Sequence, residues 1–326
     1  MREQTFKDFE IIFVDNDSSD GSYIYAKENF KQDNVILFKS DKNLGFAGGN
    51  NFALKHCTGE YIVLLNNDTR VQKDWLKNLI ECISADESTG IAQSLVITEG
   101  IPAKYYEMNG TINLLGHNIM EIFKIGVNGR GEIFQANGCS MIIRKKLVDE
   151  FGGLFDDKYF AYSEDTYLCF KVKFRGLKIM HTSDSVVFHK GGGASVNQKV
   201  PALFFYQERN RLLNFLIFFS QDFFVRYILF LLFNFILKLS ASVFTRKYSA
   251  VQLVKAYRWL FANRQWIRKE RAYLNSMKKV GDDEVMRYIS GKIFNGNNIA
   301  ERIVNTFSVG YCKLIGIHVY ENQKSV

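Results

Sequence analysis

Five cysteines, Cys57, Cys82, Cys139, Cys169 and Cys312, are scattered through 326 residues, and no two form a CxxC pair. That spacing excludes a zinc ribbon or a disulfide framework and fits a reducing compartment. The opening MREQTFKDFEIIFVDN lacks the apolar stretch of a secretory signal and runs almost at once into a buried-strand pattern. Neither export nor anchoring through this end is therefore expected. Internal repeats are absent. So are the two common phosphate-loop spacings, GxGxxG and GxxxxGK followed by Ser or Thr, which leaves a dinucleotide fold or P-loop without support. No uninterrupted apolar run reaches the roughly 18 residues of a bilayer-spanning helix.

Hydrophobic residues make up 47% of the chain and charged ones 23%, which excludes a disordered or low-complexity protein. The length allows one large domain with an appendage. The net charge of +8 implies an anionic partner: a phosphorylated substrate, an anionic membrane surface or nucleic acid.

Along the first hundred residues, the apolar runs EIIFVDN (10–16), VILFKS (35–40), YIVLLNND (61–68) and IAQSLVI (91–97) alternate with polar stretches of helical period. Continuous apolar strands of this kind predict an α/β fold with a mostly parallel sheet covered on both faces. The first three runs end in or just before polar clusters, at the edge where open parallel sheets hold ligands. Residues 98–131 read as an irregular, Gly-containing loop on the acceptor side. A strand and short helix follow in QANGCSMIIRKKLVDEFGGLFDD, then a helix capped by Ser163 and closed by Gly176. The strand KIMHTSDSVVFHK and the run Gly191, Gly192, Gly193 are expected to close a domain spanning 1–197.

From 198 to 326 the composition turns to helices rich in Phe and Leu, including LLNFLIFF (212–219) and YILFLLFNFIL (227–237), with Gln221, Asp222 and Arg226 between them. A basic stretch carrying Trp259 and Trp266 follows. In-plane or hairpin association with an anionic lipid surface is predicted over a bilayer crossing. Core helices of a soluble tail, or a subunit interface, would give the same pattern.

Four clusters carry candidate chemistry. In VDNDSSDGS, Asp15 ends a strand and Asp20-Gly21-Ser22 turns into a helix; a carboxylate there can accept hydrogen bonds from a nucleobase or ribose, although turn chemistry alone explains such a cluster. Lys42-Asn43-Leu44-Gly45, with Gly48 and Gly49, resembles a phosphate-cradling loop. Asn66-Asn67-Asp68 ends the apolar strand YIVLL, where a carboxylate offers a hard oxygen to Mg2+ or Mn2+; a plain polar loop is the alternative. Ser163-Glu164-Asp165 opens a helix behind Tyr159, Phe160 and Tyr162. Two carboxylates there can simply complement the helix dipole, but beside an aromatic wall one of them can be shifted towards the pKa of a general base.

Taken in order, VDNDSSDGS, NLGFAGGNN, LLNNDT, NGCSMIIRKK, GGLFDDKYFAYSEDTYLCFKVKFRG and VFHKGGGAS resemble glycosyltransferase family 2, in its rhamnosyltransferase-like branch. The resemblance runs from residue 4 to about 215 and includes YQERNR (206–211), similar to that branch's post-domain helix. It implies a GT-A fold and an inverting, metal-dependent transferase that moves a sugar, rhamnose among the options, from a nucleoside-diphosphate donor. By position, Asp15 would contact the base or ribose, with Asn16, Asp20, Asn43, Gly45, Gly49, Asn50, Asn66, Asn67 and Gly138 around the nucleotide sugar. Asp68 would bind Mg2+ or Mn2+, with His189 near the diphosphate or metal. Asp165 of the Glu164-Asp165 pair would be the general base.

The sequence departs from the family pattern in places. Asn-Asn-Asp supplies one carboxylate to the metal; Tyr167 replaces a common Asp and Lys171 a common Arg. Relatives also carry a strand and helix, with a Thr-Tyr-Asn-like contact, ahead of the segment matching QTFKDFEIIFVDN; a misassigned start, a fragment, or a chain that borrows or replaces the strand would each account for the difference, the first being expected. The implied acceptor is a glycan or lipid-linked hydroxyl, met at the cytoplasmic face of the membrane. A catalytically inactive nucleotide-sugar-binding or scaffold protein is the alternative. Nucleic acid is not expected as a partner, because the basic residues are interleaved with Phe and Leu and no recognition motif is present.

Overall fold

The structure, a computed structural model, describes residues 1–100, 109–120, 129–190, 200–245, 248–295 and 298–323. Every apolar run of the first hundred residues is a strand. In chain order the elements are β1 (Ile11–Asp15), α1 (Ser22–Asn29), β2 (Val35–Lys39), α2 (Gly45–Leu54), β3 (Tyr61–Leu65), β4 (Thr69–Val71), α3 (Trp75–Ser84) and β5 (Thr89–Thr98). Then come β6 (Asn109–Ile112), β7 (Asn118–Met120), β8 (Arg130–Ile133), β9 (Ser140–Arg144), α4 (Lys145–Glu150), α5 (Glu164–Phe174) and β10 (Lys178–His189). Six helices follow: α6 (Val200–Phe218), α7 (Gln221–Phe244), α8 (Ala250–Ala262), α9 (Arg264–Met277), α10 (Asp282–Met286) and α11 (Ile299–Leu314).

The α/β class holds, but the sheet is mixed rather than mostly parallel. Its main part runs β3-β9-β5-β10-β4, with β8 also on β10. Within it only β5 and β10 pair in parallel; β9 runs against both β3 and β5. The apolar runs misled on direction because they report coverage of both faces. Residues 140–143 of β9 are fully buried, yet β9 is antiparallel to both neighbours. The expected irregular loop at 98–131 contains, among its described residues, the small β6–β7 hairpin and β8. Gly191, Gly192 and Gly193 lie outside the described residues.

β1 and β2 form a separate two-stranded parallel sheet, and among the described residues β1 pairs only with β2 and β3 only with β9. Burial follows that division. Ile11, Ile12, Phe13 and Val14 are only half-buried, and α1 exposes Ile24 and Tyr25.

The helices after residue 200 are not peripheral. One apolar cluster runs from Ile62 and Leu64 of β3 through Ile143 and Phe170 to Phe218, Tyr227 and Ile317. Phe218 stacks on Phe170 and Phe174, with ring centroids 5.1 and 5.9 Å away. Lys171, which stands where relatives commonly carry Arg, points into this seam: its ammonium donates to Phe151 O at 3.2 Å and sits 4.6 Å from the Tyr167 ring. Burial holds Lys171 down at about 8. Tyr167 likewise donates to Glu270 Oε1 of α9 at 3.3 Å, away from the sheet edge.

Because the core is shared, Phe218→Ala should destabilise the whole chain by about 3–5 kcal/mol, the usual cost of emptying a buried phenylalanine site. Calorimetry should show one transition moved to lower temperature. A second transition that alone responds would mean that the helical tail folds independently.

Candidate active site

β3, β5 and β10 point the same way, since β3 and β5 both run against β9 and β10 runs with β5. Their C-terminal ends therefore open on one edge of the sheet, together with the turn that enters β9. Asn66 starts this edge: its amide donates to Cys139 O at 3.0 Å and its carbonyl accepts from Thr69 Oγ1 at 2.5 Å. Asn67 is exposed. β4 then runs antiparallel to β10 with Thr69 opposite His189, and this register brings two distant residues together. His189 Nε2 lies 3.2 Å from Asp68 Oδ1, while the Lys190 amide donates to Asp68 O at 3.0 Å. Asp68 Oδ1 is buried and receives no aligned hydrogen bond.

The turn before β9 meets the start of α5. Gly138 N donates to Asp165 Oδ2 at 3.3 Å and Thr166 N to Oδ1 at 2.7 Å. A side chain on Gly138 would meet the Phe46 ring at 3.2 Å, so glycine permits this approach. The two carboxylates then part company. Asp165 remains partly open, whereas Glu164 is 7% exposed and its Oε2 has no hydrogen-bond partner. Burial raises Asp165 above the usual carboxylate value, and the amides of Thr166 and Gly138 pull it back. Burial raises Glu164 well above its ordinary value, and the neighbouring charge of Asp165 adds to the effect.

Ser163 does occupy the N-cap position of α5, but it sits at φ 63° and its hydroxyl makes no cap bond. Phe160 and Tyr162 also have positive φ, 60° and 71°. Non-glycine residues in this region are strained and persist only where their surroundings fix them. α6 supplies that constraint. Asn210 Nδ2 faces the carbonyls of Tyr159, Ala161 and Tyr162 at 2.9, 2.8 and 2.7 Å. Asn214 Nδ2 donates to Ser163 O at 3.0 Å, and its Oδ1 accepts from the Tyr159 hydroxyl. Arg209 donates to Tyr159 O at 3.2 Å and, through Nε, to Asn210 Oδ1 at 2.8 Å. These residues lie in or next to YQERNR, which the sequence marks only as a helix of the resembling branch; the amides were not legible as loop-holding groups.

The far side of the loop reaches α2. Ala47 N donates to Phe160 O at 3.1 Å, and a Cβ on Gly45 would stand 2.3 Å from that same oxygen. Asn16 Oδ1 accepts from Leu44 N at 2.9 Å and its Nδ2 donates to Gly45 O at 2.9 Å, with Asn43 Oδ1 3.4 Å away. A Cβ on Gly49 would meet Asn16 Nδ2 at 3.3 Å. Close packing against Asn16 and Phe160 thus accounts for Gly45 and Gly49 without a phosphate. Asp15 is buried at the end of β1 and accepts from Ser18 N at 3.3 Å. Asp20 holds the amide and hydroxyl of Ser22, as turn chemistry requires. Asn50 donates back to Phe46 O inside α2. The structure therefore gathers Asn66, Asp68, Gly138, Asp165 and His189 at one edge and sets Asn16, Asn43, Gly45 and Gly49 beside the same loop. Asp20 and Asn50 make their contacts elsewhere, and Glu164 is sunk beneath Asp165.

Comparison with known families bears on part of this arrangement: residues 1–152, which carry Asp15, Asp68 and Gly138 but neither Asp165 nor His189, match the model for glycosyl transferase family 2. Residues 1–152 are a family 2 glycosyltransferase domain. Two curated relatives are the O-antigen biosynthesis protein RfbC of Myxococcus xanthus, 20% identical over 62% of this chain, and the glycosyltransferase GlyA of Streptococcus pneumoniae, 26% identical over 57%. The matched segments span only 16% and 27% of those relatives. Among solved structures, that of GalNAc-T7 with UDP, GalNAc and Mn2+ superposes with a TM-score of 0.56 at 14% identity, covering 81% of this chain and 50% of that one. The fold is GT-A. In the family 2 domain and the helices behind it, the segment 159–163 is the joint: α2 holds one side and α6 the other.

Asn210→Ala should leave the carbonyls of Ala161 and Tyr162 unpaired beneath a strained backbone, while Tyr159 O keeps Arg209 and the Ala161 amide, at a cost of about 1–3 kcal/mol for each group left unsatisfied. Hydrogen exchange should rise at 159–163 while β5 and β10 keep wild-type protection; unchanged exchange in the loop would show that the strain is held elsewhere. Glu164→Gln should stabilise the protein above acidic pH. A raised native pKa gives stability that is complete below the unfolded value of 4.5 and lost as pH rises through the native value, so only the glutamate form pays a growing penalty. The melting temperatures of the two forms should converge in acid and separate towards neutrality; a constant gap would mean that Glu164 is not held protonated.

Proposed function

We propose that this protein transfers a sugar from a nucleoside-diphosphate donor to a hydroxyl of a glycan or lipid-linked acceptor, with inversion at the anomeric carbon, at the edge shared by β3, β9 and β10. One observation carries the reading: Asp165, a partly open carboxylate with raised proton affinity, shares this edge with Asp68 Oδ1, which is buried without an aligned hydrogen bond, and its neighbour His189. The rhamnosyltransferase-like blocks favour a rhamnose-like donor sugar. The helical tail would hold the enzyme at the cytoplasmic membrane surface, near such an acceptor.

Asp68 and His189 fit a divalent cation. An orphaned acidic oxygen and an imidazole nitrogen converge, and among the described residues no cluster of three or more His, Cys, Asp or Glu is present. That donor set suits Mg2+ or Mn2+, which commonly take one or two protein ligands and complete their shell with substrate phosphates and water. Bound there, the ion would offset negative charge on the departing nucleoside diphosphate.

The protein's own groups do the rest. Asp165 accepts the proton as the acceptor O–H bond breaks; the acceptor oxygen bonds to the anomeric carbon, and the bond from that carbon to the diphosphate breaks, leaving its electron pair on the phosphate oxygen. A carboxylate with raised proton affinity is a better base, and deprotonation still leaves it competent near neutrality. Glu164, protonated beneath it, adds no second negative charge. Asn16, fixed by Leu44 N and Gly45 O, and Asp15 present the donor-side polar groups.

A second reading, a nucleotide-sugar binder without turnover, draws on the separation of β1–β2, which carries Asp15 and Asn16, from the main sheet. One experiment separates the two. UDP and GDP binding with Mn2+ is measured by calorimetry, and transfer is assayed over a panel of nucleotide sugars with polyprenyl-diphosphate-linked acceptors. Asp165→Asn should bind like wild type yet transfer at least about a hundredfold more slowly, the usual loss for a missing general base. Asp68→Ala should lose the Mn2+-dependent part of binding. The wild-type rate should fall in acid, as Asp165 takes up its proton, with a midpoint above the ordinary aspartate value. Full transfer by Asp165→Asn would sink the mechanism, and binding without transfer by wild type would select the second reading.

A further inference from the structure

We propose that the outer face of α7, with α11 beside it, lies flat on an anionic lipid surface and does not cross the bilayer. The inference rests on the reading above that the tail meets a membrane, and it specifies the face and its orientation. By length and composition α7 is apolar enough to span a membrane. Its two sides nevertheless differ. Val225, Leu229, Leu232, Ile236 and Val243 recur at helical spacing and are 51–78% exposed, apart from the interspersed residues that turn inward. This stripe extends for about 27 Å at the helical rise of 1.5 Å per residue.

The opposite side is committed to the protein. Lys238 Nζ donates to Glu208 Oε2 at 2.6 Å, and Asn234 Nδ2 donates to Glu208 Oε1 at 2.7 Å. Burial alone would raise Glu208, but Arg211 and Lys238 hold it at about 2. Tyr227 donates to Leu114 O at 2.6 Å and Arg226 Nη1 to Gly316 O at 2.5 Å. A bilayer crossing would strip α7 from these partners and leave Glu208 and Lys238 as separated buried charges, which is strongly unfavourable. Lying in the plane keeps every one of these bonds.

α11 packs beside α7 and has an apolar face of its own. Phe230 of α7 packs on Tyr311 of α11 at 5.6 Å, and α11 exposes Ile303, Phe307 and Leu314. Charge selects the occupant. After residue 197 the chain has 20 Lys and Arg against 8 Asp and Glu, a balance of +12, whereas residues 1–197 have 22 against 26, or −4. Exposed Lys255 and Arg258 on α8 and Arg302 and Lys313 on α11 belong to the helices that carry or flank the apolar stripe. A second copy would bring the same positive charge against itself across a two-fold axis, while anionic lipid complements it.

The test uses the full chain and vesicles of phosphatidylcholine with or without phosphatidylserine. Wild type should sediment with the phosphatidylserine vesicles, and alkaline carbonate should strip it from them. Leu232→Glu/Ile236→Glu should weaken vesicle partition by at least about tenfold, because two anchoring side chains are replaced by charges of the wrong sign. The milder Leu232→Ser/Ile236→Ser should fall between. Melting curves and UDP or GDP binding with Mn2+ should match wild type in both, so that a failure of the lipid face and a failure of the transferase reading give different results. Equal vesicle binding by the glutamate variant, resistance of wild type to carbonate, or a wild-type dimer that the variant converts to monomer without any vesicle binding would each overturn the proposal.

Discussion

The amide of Asn210 is the interaction on which the candidate site depends. Its one nitrogen faces three carbonyls, those of Tyr159, Ala161 and Tyr162, in a segment where three non-glycine residues hold positive φ within four positions. Each such conformation costs on the order of 1–3 kcal/mol and would relax if unconstrained. The strained path sets the exit direction of the chain at Ser163 and hence the first turn of α5, where Asp165 takes the Gly138 amide and Glu164 turns inward. Gly45 completes the constraint from the other side, because any side chain there would strike Phe160 O. Helix α6, which follows the family-matched residues, is therefore part of the machinery that shapes the site.

Sheet topology explains why the remaining candidates converge. β9 runs opposite to β3, β5 and β10, so its entry turn, with Gly138, lies at the same edge as their exits. The β4–β10 pairing then fixes Asp68 against His189, two residues 121 positions apart. Neither juxtaposition depends on the thinly buried β1–β2 pair. The half of the candidate site that carries Asp68, Asp165 and His189 is accordingly the better packed, and the half with Asp15 and Asn16 rests on a sheet that, among the described residues, has no ladder to β3.

Much of this was legible in the sequence, and the limits have physical causes. Strands β1, β2, β3 and β5 announce themselves as apolar runs bounded by polar clusters, and the boundary of α5 at Gly176 follows from its positive φ of 72°. Strand direction was not legible, because a residue buried on both faces reads the same in either orientation. Gly45 and Gly49 suggested a phosphate cradle, since a glycine freed for a ligand and one freed for Phe160 or Asn16 look alike in one dimension. Asn210 and Asn214 were hidden for a related reason: a buried asparagine in an aromatic helix gains meaning only from the carbonyls it faces, and those lie about 50 residues earlier. The Asp68–Asp165–His189 set was found through ordered resemblance to a family, which pools long-range geometry that no local pattern contains.

The same distinction applies to α7. As a string it is an apolar segment with one lysine, and by composition it passes for a membrane span; in three dimensions Lys238 and Asn234 turn inward to Glu208, the residue immediately before Arg209 and Asn210. α7 is thus hydrogen-bonded to Glu208, which precedes in the chain the two side chains that hold 159–163, and only Phe219 and Ser220 separate α6 from α7, with Ser220 capping the new helix by accepting from Phe223 N. Such a connection has little freedom to rotate. Whatever surface receives the outer stripe of α7 therefore also fixes the attitude of the loop before Asp165, because the contacts between the two are buried, paired and costly to break one partner at a time.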